Sequence, residues 1–368
     1  MNDELIIGMR CGAARAGVDA VLVNFRSGSM DILHATFTAF PTAIKKTLDQ
    51  LFETGKRPSD NLANLLDENL GRFFARTAQN LVRETGMEMR DIQAIGSQGQ
   101  KVWHQARGDT PLTMQLGKGE LIARNTATTV VSDFHSADIR AGGQGAPLAP
   151  LLHRHLFQNE TENRAVLKLG SIANLTMLPK GGRGITCFDC GPGNCLMDAW
   201  TRRHLHKDYD HHGLWAGKGA IDSGLLERLL DDPYFSLPAP KYTGPEYFNM
   251  NWFETNLADS DLATETVQTT LVELTALSVA RGMQAFPLYD RLLVCGGGAK
   301  NTYLMRRISA ALPDVIVEPT TRHGADPDWV EGLLIAWLAR ERLNGQVQDT
   351  QAITGASHPV MLGNIHNP

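Results

Sequence analysis

No stretch of these 368 residues approaches the roughly 18 consecutive apolar residues that cross a membrane, so no membrane partner is expected. The opening MNDELIIG is acidic and enters an apolar run at once. It lacks the basic-then-apolar layout of a secretion signal, and none is expected. Cysteine is scarce and odd in number, five in all, which argues against a disulfide framework and for reduced thiols in a cytoplasm. There is no excess of basic charge either. The net charge is −5, Lys and Arg are mixed with Asp and Glu, and no basic patch interleaves with aromatics. Nucleic acid is therefore not an expected partner.

A metal-ligand pattern is missing as well. Cys187, Cys190 and Cys195 cluster in CFDCGPGNC, but no second CxxC or HxxxH pair complements them, and a structural zinc wants four tetrahedral ligands. They read as buried or half-buried thiols of a turn entering a helix. His204, His206, His211 and His212 in RRHLHKDYDHHG read as a polar helix end and loop. No metal site is expected.

What is present is a large core and a regular alternation. Hydrophobic residues make up 42% of the chain, and its length favours two domains. ELIIG, DAVLVNF and MDILHATFTAF read as a short-strand meander. Helical spacing follows at 41–52 and 59–84, the latter with Leu62, Leu65, Leu66, Leu70, Phe73 and Phe74 along one stripe. DIQAIGSQGQ and TTVVSDF read as strands, and RAGGQGAPLAP as a loop that lets backbone approach a ligand closely. The second half repeats the style. AVLKLGSIANLTMLP is strand, turn, strand; ITCFDCGPGNCLMDAW runs from strand to helix; a long helix spans 264–284. DRLLVCGGGAKNTYLMRRISAAL gives strand, triple-glycine turn and helix, and ADPDWVEGLLIAWLARERL is expected to be an amphipathic helix. The alternation argues α/β, and two halves that each open with a hairpin argue an internal duplication around a cleft.

A strand that ends in glycine and enters a helix leaves backbone N–H groups at the positive end of the helix dipole, which suits anions. Three such turns, at residues 8–17, 170–172 and 296–298, point to a nucleotide. Asp189 in CFDCGPGN is the candidate catalytic carboxylate, placed where its strand ends. Its alternative role is a cap on a helix starting near Pro192. Glu331 opens an apolar helix, either as a ligand group or as an ordinary N-terminal glutamate. Arg124 and Arg140 flank the glycine loop, as partners of a substrate carboxylate or as surface residues.

The motifs GQGAPLAPLLH, IANLTMLP, FDCGPGNCLMDAW, DPYFSLPAPKYTGPEYFN, LLVCGGGAKN and ITGAS resemble those of the anhydro-N-acetylmuramic acid kinases, over residues 8–365. The resemblance implies the two-domain actin, Hsp70 and sugar-kinase fold, which is ribonuclease H-like, with a cleft between the domains. The expected lobes are 1–131 plus 352–368, and 132–351. It implies a cytoplasmic homodimer acting on a small amino sugar in peptidoglycan recycling. The 1,6-anhydro bridge is hydrolysed, and the freed 6-hydroxyl is phosphorylated by Mg-ATP. Asp189 matches the base that activates water. Arg124, Gln144 in GGQGAP and Glu331 match the sugar site. Gly12, Gly17 and Asp19 match the first phosphate loop, Gly170 the second, and Gly296, Gly297 and Gly298 the nucleotide loop.

The departures lie in the same places. The family's opening GxMSGTSxDGxD is here Gly8-Met9-Arg10-Cys11-Gly12-Ala13-Ala14-Arg15-Ala16-Gly17-Val18-Asp19. HGQT is Gln98-Gly99-Gln100-Lys101, NIGG is Lys168-Leu169-Gly170-Ser171, and DFR is Asp133-Phe134-His135. Cys190 replaces a threonine, and Lys118 replaces an aspartate. Three hydroxyl contacts to phosphate, at about 1.5–3 kcal/mol each, amount to roughly 4–9 kcal/mol if additive. Arg10, Arg15 and Lys168 are cations that can substitute for them. The leading expectation is the ATP-dependent kinase. The alternatives are a pseudokinase that binds sugar or a protein partner, and an anhydro-sugar hydrolase without phosphorylation.

Overall fold

The computed structural model describes residues 4–12, 16–26, 29–54, 56–105, 112–182, 184–257, 261–286 and 289–368. Ala13, Ala14 and Arg15 of the opening motif lie outside them. The chain divides into two compact units, residues 1–152 with 329–368, and residues 153–328. Among the described residues no helix is long and apolar enough to cross a membrane.

In the first unit, apolar β-branched runs form β1 (Leu5–Cys11), β2 (Gly17–Asn24) and β3 (Asp31–Ala39), an antiparallel meander with Leu5 opposite Asn24 and Cys11 opposite Val18. β4 (Ala94–Ser97) joins β1 in parallel, and β7 (Thr129–Ser132) joins β4 in parallel. The last strand, β13 (Asn364–His366), closes the edge, giving the order β13-β7-β4-β1-β2-β3. A small separate hairpin pairs β5 (Gln100–Gln105) with β6 (Leu112–Leu116).

Two helices cover the sheet. The helix Asp60–Glu84 starts where Ser59 Oγ accepts from Leu62 N at 3.4 Å, and its buried Leu66, Leu70, Phe73 and Phe74 pack with Ile7 and Met9. Leu65, expected on that stripe, is 60% exposed. The helix Val330–Leu343 is not amphipathic as expected: residues 332–339 are all buried. It is apolar on every side because it lies directly against strands, through contacts that only glycine permits. A Cβ on Gly8 would stand 2.1 Å from Gly332 O, and one on Gly96 would stand 2.5 Å from Ile335 O. This packing draws residues 329–368 into the first unit, so the division falls at 152/153 and 328/329 rather than at 131/132 and 351/352.

In the second unit, β8 (Arg164–Leu169), β9 (Ile172–Leu178) and β10 (Thr186–Pro192) form another antiparallel meander, and β11 (Arg291–Cys295) and β12 (Ile316–Pro319) extend it in parallel. The order is β10-β9-β8-β11-β12. The helix Thr264–Gln284, at the expected bounds, supplies Val267, Leu271, Leu274 and Val279 to the core. Counted from its own first strand, each sheet runs third-second-first-fourth-fifth, an antiparallel meander followed by two parallel strands, to which the first unit adds β13 as an antiparallel sixth. The fold is α/β, and this order is the ribonuclease H-like arrangement in both units.

Candidate functional site

The second unit gathers its glycine turns at one end of the sheet, the carboxyl ends of β8, β10 and β11, where open α/β sheets present ligands. Asn194 N donates to Gly170 O at 2.8 Å, Gly193 N to Ser171 O at 2.9 Å, and Asn194 Nδ2 to Leu169 O at 3.2 Å. The turn at 296–298 closes on the same residue. A Cβ on Gly298 would stand 2.6 Å from Leu169 Cβ and 3.0 Å from Asn194 Oδ1. Gly296 has a left-handed φ of 83°. The helix Thr302–Ala311 leaves this turn, capped by Asn301 Oδ1, which accepts from Leu304 N at 3.0 Å. Beside the turn lies a cavity of about 450 Å³ lined by Gly297, Gly298, Asn194, Asp198, Gln268 and the 209–212 segment. Lys300 and Asp328 form an ion pair at its rim.

Asp189 is held on every side. It does not cap a helix, since the helix Cys195–Leu205 begins after Asn194. Nor does it end its strand: β10 continues to Pro192, with a bulge between Asp189 and Gly191. Its Oδ1 accepts from Asn174 Nδ2 at 2.9 Å, and its Oδ2 accepts from Thr243 N at 2.9 Å. Its backbone N donates to Lys241 O at 2.8 Å, and its carbonyl accepts from Tyr234 Oη at 2.8 Å. Burial raises its pKa above the usual carboxylate value, against the two donors and the nearby Lys168. Thr243 Oγ1 is buried without a partner on the same residue that supports the carboxylate. Asp189 is not among the residues that line the 450 Å³ cavity.

The cysteines are buried or half-buried. All five carry free thiols; Cys187 and Cys190 are buried, and Cys195 is half-buried with its Sγ 3.4 Å from Phe248 O. Burial pushes Cys187 up to about 11 and Cys195 up to about 12. Cys190 occupies the bulge and packs toward Gly282. His206 caps the helix Cys195–Leu205 in a left-handed conformation, and His211 and His212 lie in a short 3₁₀ turn. Among the described residues, no group of three or more His, Cys, Asp or Glu is placed to hold a metal.

In the first unit, Arg10 and Asp19 stand opposite each other on β1 and β2, with Nε and Oδ2 3.9 Å apart. The Arg10 guanidinium also forms an ion pair with Glu331, in the first turn of the helix Val330–Leu343. Gly17 is required by strand pairing, as a Cβ there would stand 2.1 Å from Thr38 O. Among the described residues, a Cβ on Gly12 would meet the Arg10 side chain at 3.3 Å.

The glycine loop is organised by a residue the sequence did not single out. Asp138 is fully buried; its Oδ2 accepts from Gly145 N at 2.7 Å, and its Oδ1 accepts from Thr354 Oγ1 at 2.7 Å. Gln144 is half-buried, with its N donating to Thr354 O at 3.0 Å. Arg124 and Arg140 lie exposed in the last turns of short helices. Gln98 and Lys118 instead line a second cavity, of about 480 Å³, with Asp67, Asp133 and His366. Neither Arg124 nor Gln144 lines it. The residues that sequence reasoning missed, Asn174, Thr243 and Asp138, are ordinary polar residues whose partners are set by the fold.

A relative from Xanthomonas oryzae pv. oryzae named anhydro-N-acetylmuramic acid kinase is 40% identical over 370 residues, 100% of this chain and 98% of its own length. Relatives of the same name from Xylella fastidiosa and Shewanella halifaxensis are each 41% identical, covering 98% and 100% of this chain and 96% and 99% of their own. Among solved structures, the activator of the 2-hydroxyisocaproyl-CoA dehydratase from Clostridium difficile with bound ADPNP is similar, with a TM-score of 0.48 at 12% identity over 93% of this chain and 96% of its own. The family model described as anhydro-N-acetylmuramic acid kinase matches residues 4–368, and the chain belongs to that family.

Proposed function

We propose that this protein opens the 1,6-anhydro bridge of anhydro-N-acetylmuramic acid and phosphorylates the freed 6-hydroxyl with Mg-ATP. The geometry of Asp189 carries the proposal. A general base must be held rigidly and be basic enough to take a proton at working pH. Asp189 is anchored at its backbone N–H, its carbonyl and both carboxylate oxygens, and burial raises its basicity. It takes a proton from water as the water oxygen bonds to the anomeric carbon and the bond from that carbon to O6 breaks. ATP supplies the phosphoryl group that O6 receives. Glu331, Gln144 and Arg124 serve the sugar, and Gly12, Gly17, Asp19, Gly170, Gly296, Gly297 and Gly298 serve the nucleotide.

The residues at the 296–298 turn fit a nucleotide. The turn approaches Leu169 too closely for a side chain at Gly298, and it adjoins the cavity of about 450 Å³. Asp189→Asn tests the base: anhydro-sugar turnover falls by about 100-fold or more while the fold is kept. Turnover within a few-fold of the parent would refute the role of Asp189.

A second reading is favoured by one observation. Arg10 stands where the family motif has methionine, and it pairs with Glu331, the carboxylate proposed for the sugar. On this reading the opening loop, which also carries Ala13, Ala14 and Ala16 in place of the family's hydroxyls and carboxylate, no longer supports phosphoryl transfer, and bridge opening or binding alone remains. The readings differ in product: water plus phosphate gained, water alone, or no change.

A further inference from the structure

The last strand of the first unit brings together three side chains that lie far apart in the sequence. β13 pairs with β7 so that Asn364 stands opposite Ser132, and His366 falls two residues along on the same face. His366 Nε2 lies 2.8 Å from Ser132 Oγ. Its Nδ1 lies 3.2 Å from Oε1 of Glu120, in the first turn of the helix Gly119–Thr126. A carboxylate can only accept, so the Nδ1 proton faces Glu120, and Nε2 is left to accept from the serine hydroxyl. A nucleophile, a base and an orienting carboxylate thus stand in hydrogen-bonded sequence.

The surroundings supply what acyl transfer also needs. All three side chains line the cavity of about 480 Å³. Asp133, directly after Ser132, has a left-handed φ of 55°. Its Oδ1 accepts from Ser136 N at 3.2 Å and from Ser136 Oγ at 2.7 Å, and its Oδ2 accepts from Asn364 Nδ2 at 3.0 Å. The sharp turn is thereby fixed, and the serine is held at the end of its strand. A Cβ on Gly119 would stand 3.0 Å from Ser132 Oγ and 2.6 Å from His366 Nε2, so only glycine leaves the pair uncovered there. The same close approach brings a helix N-terminus to the serine. The first N–H groups of a helix have no acceptor within it, and they can meet an oxyanion. Among the described residues, Met114 and Leu116 are the only large apolar side chains on the cavity wall, which suits a short acyl chain and not a long one.

We propose that Ser132, His366 and Glu120 form a second active site, one that hydrolyses short-chain carboxylic esters. Ser132 Oγ bonds to the ester carbonyl carbon as its proton passes to His366 Nε2. The bond from that carbon to the alcohol oxygen breaks, and the alcohol leaves with the proton. Water then gives a proton to His366 Nε2 as its oxygen bonds to the acyl carbon. The bond to Ser132 breaks, the serine regains the proton, and a carboxylic acid leaves. Glu120 acts through His366, as a positioning residue. The reaction needs neither ATP nor Asp189, so it stands or falls apart from the kinase reading.

The test is hydrolysis of p-nitrophenyl acetate by the full chain without nucleotide, together with labelling by a short-chain fluorophosphonate and peptide mass spectrometry. Turnover is expected, with one phosphonate per chain, placed on Ser132. Ser132→Ala should lower hydrolysis by about 100-fold or more and abolish the label. Glu120→Gln should lower kcat by about ten-fold or more with KM within about two-fold, whereas a merely structural clasp between β13 and the helix would leave kcat where it is. The p-nitrophenyl octanoate ester should turn over at least about ten-fold more slowly than the acetate. Labelling of another side chain, no labelling, or full hydrolysis by folded Ser132→Ala would overturn the proposal. If Ser132→Ala does not fold, the position of the label on the parent protein decides alone.

Discussion

Arg10 on β1 and Glu331 on the helix Val330–Leu343 form an ion pair within the first unit, at the point where the family's opening motif carries a methionine. Asp19, across the ladder from Arg10, faces the same guanidinium with 3.9 Å between Nε and Oδ2. One cation is thus shared by two carboxylates that the resemblance assigns to ligands. Arg10 and Glu331 have side chains only 15% and 23% exposed, so solvent screens the pair weakly.

Arg10→Met, which restores the motif residue, should therefore raise affinity for anhydro-N-acetylmuramic acid by releasing Glu331 from its internal partner. The same change should lower the melting temperature, because a half-buried carboxylate loses its cation. Calorimetry with the sugar and thermal unfolding read the two effects separately. Unchanged sugar affinity would mean that the pair does not compete with the ligand.

On the proposed mechanism, Asn174 acts on the reaction through Asp189. Its amide donates to the charged carboxylate and so holds the pKa of Asp189 down against burial. In Asn174→Ala that pKa should rise, and the acid limb of kcat/KM should move to higher pH. A purely structural role would lower the rate without moving the limb, so the pH profile separates the two.

Glu162 sits between Arg291 and Arg164, with Nη2 of the first at 3.1 Å and Nε of the second at 2.9 Å. Hydrogen bonds from Arg291 and then Arg164 pull its pKa from 4.5 to about 2. A depressed carboxylate stabilises the fold above its unfolded pKa, and that contribution is lost as pH falls through the folded one. Melting temperature should accordingly decline between about pH 4.5 and pH 2, and Glu162→Gln should flatten this limb. A decline of equal steepness in the variant would assign the acid loss to other carboxylates.

The glycines separate into those the packing requires and those it does not. Gly8→Ala drives a Cβ to 2.1 Å from Gly332 O, and backbone cannot move aside as a side-chain end can. A stability loss of at least about 1–3 kcal/mol is expected by denaturant unfolding. Gly297→Ala meets nothing within 4 Å and should change stability by less than about 0.5 kcal/mol. Similar losses at both positions would contradict the close approach of the helix to β1.

Local patterns were legible wherever neighbours in sequence decide the structure. The opening meander, the hairpin that turns at Gly170-Ser171, and the helix Thr264–Gln284 follow from alternation, glycine turns and helical spacing. The helix Val330–Leu343 was misread because glycines and alanines at the sheet contact leave no polar stripe to find, and its partners, Gly8 and Gly96, are more than 200 residues away. The setting of Asp189 was hidden for a similar reason. Thr243, which donates to it, lies 54 residues on in an irregular loop.

The most direct measurement is the mass of the product formed when the full chain is incubated with anhydro-N-acetylmuramic acid and Mg-ATP. A gain of one water and one phosphate is expected, with ADP formed in equal amount. A gain of water alone would contradict phosphoryl transfer by this chain, and an unchanged sugar with folded protein would contradict the proposed reaction entirely.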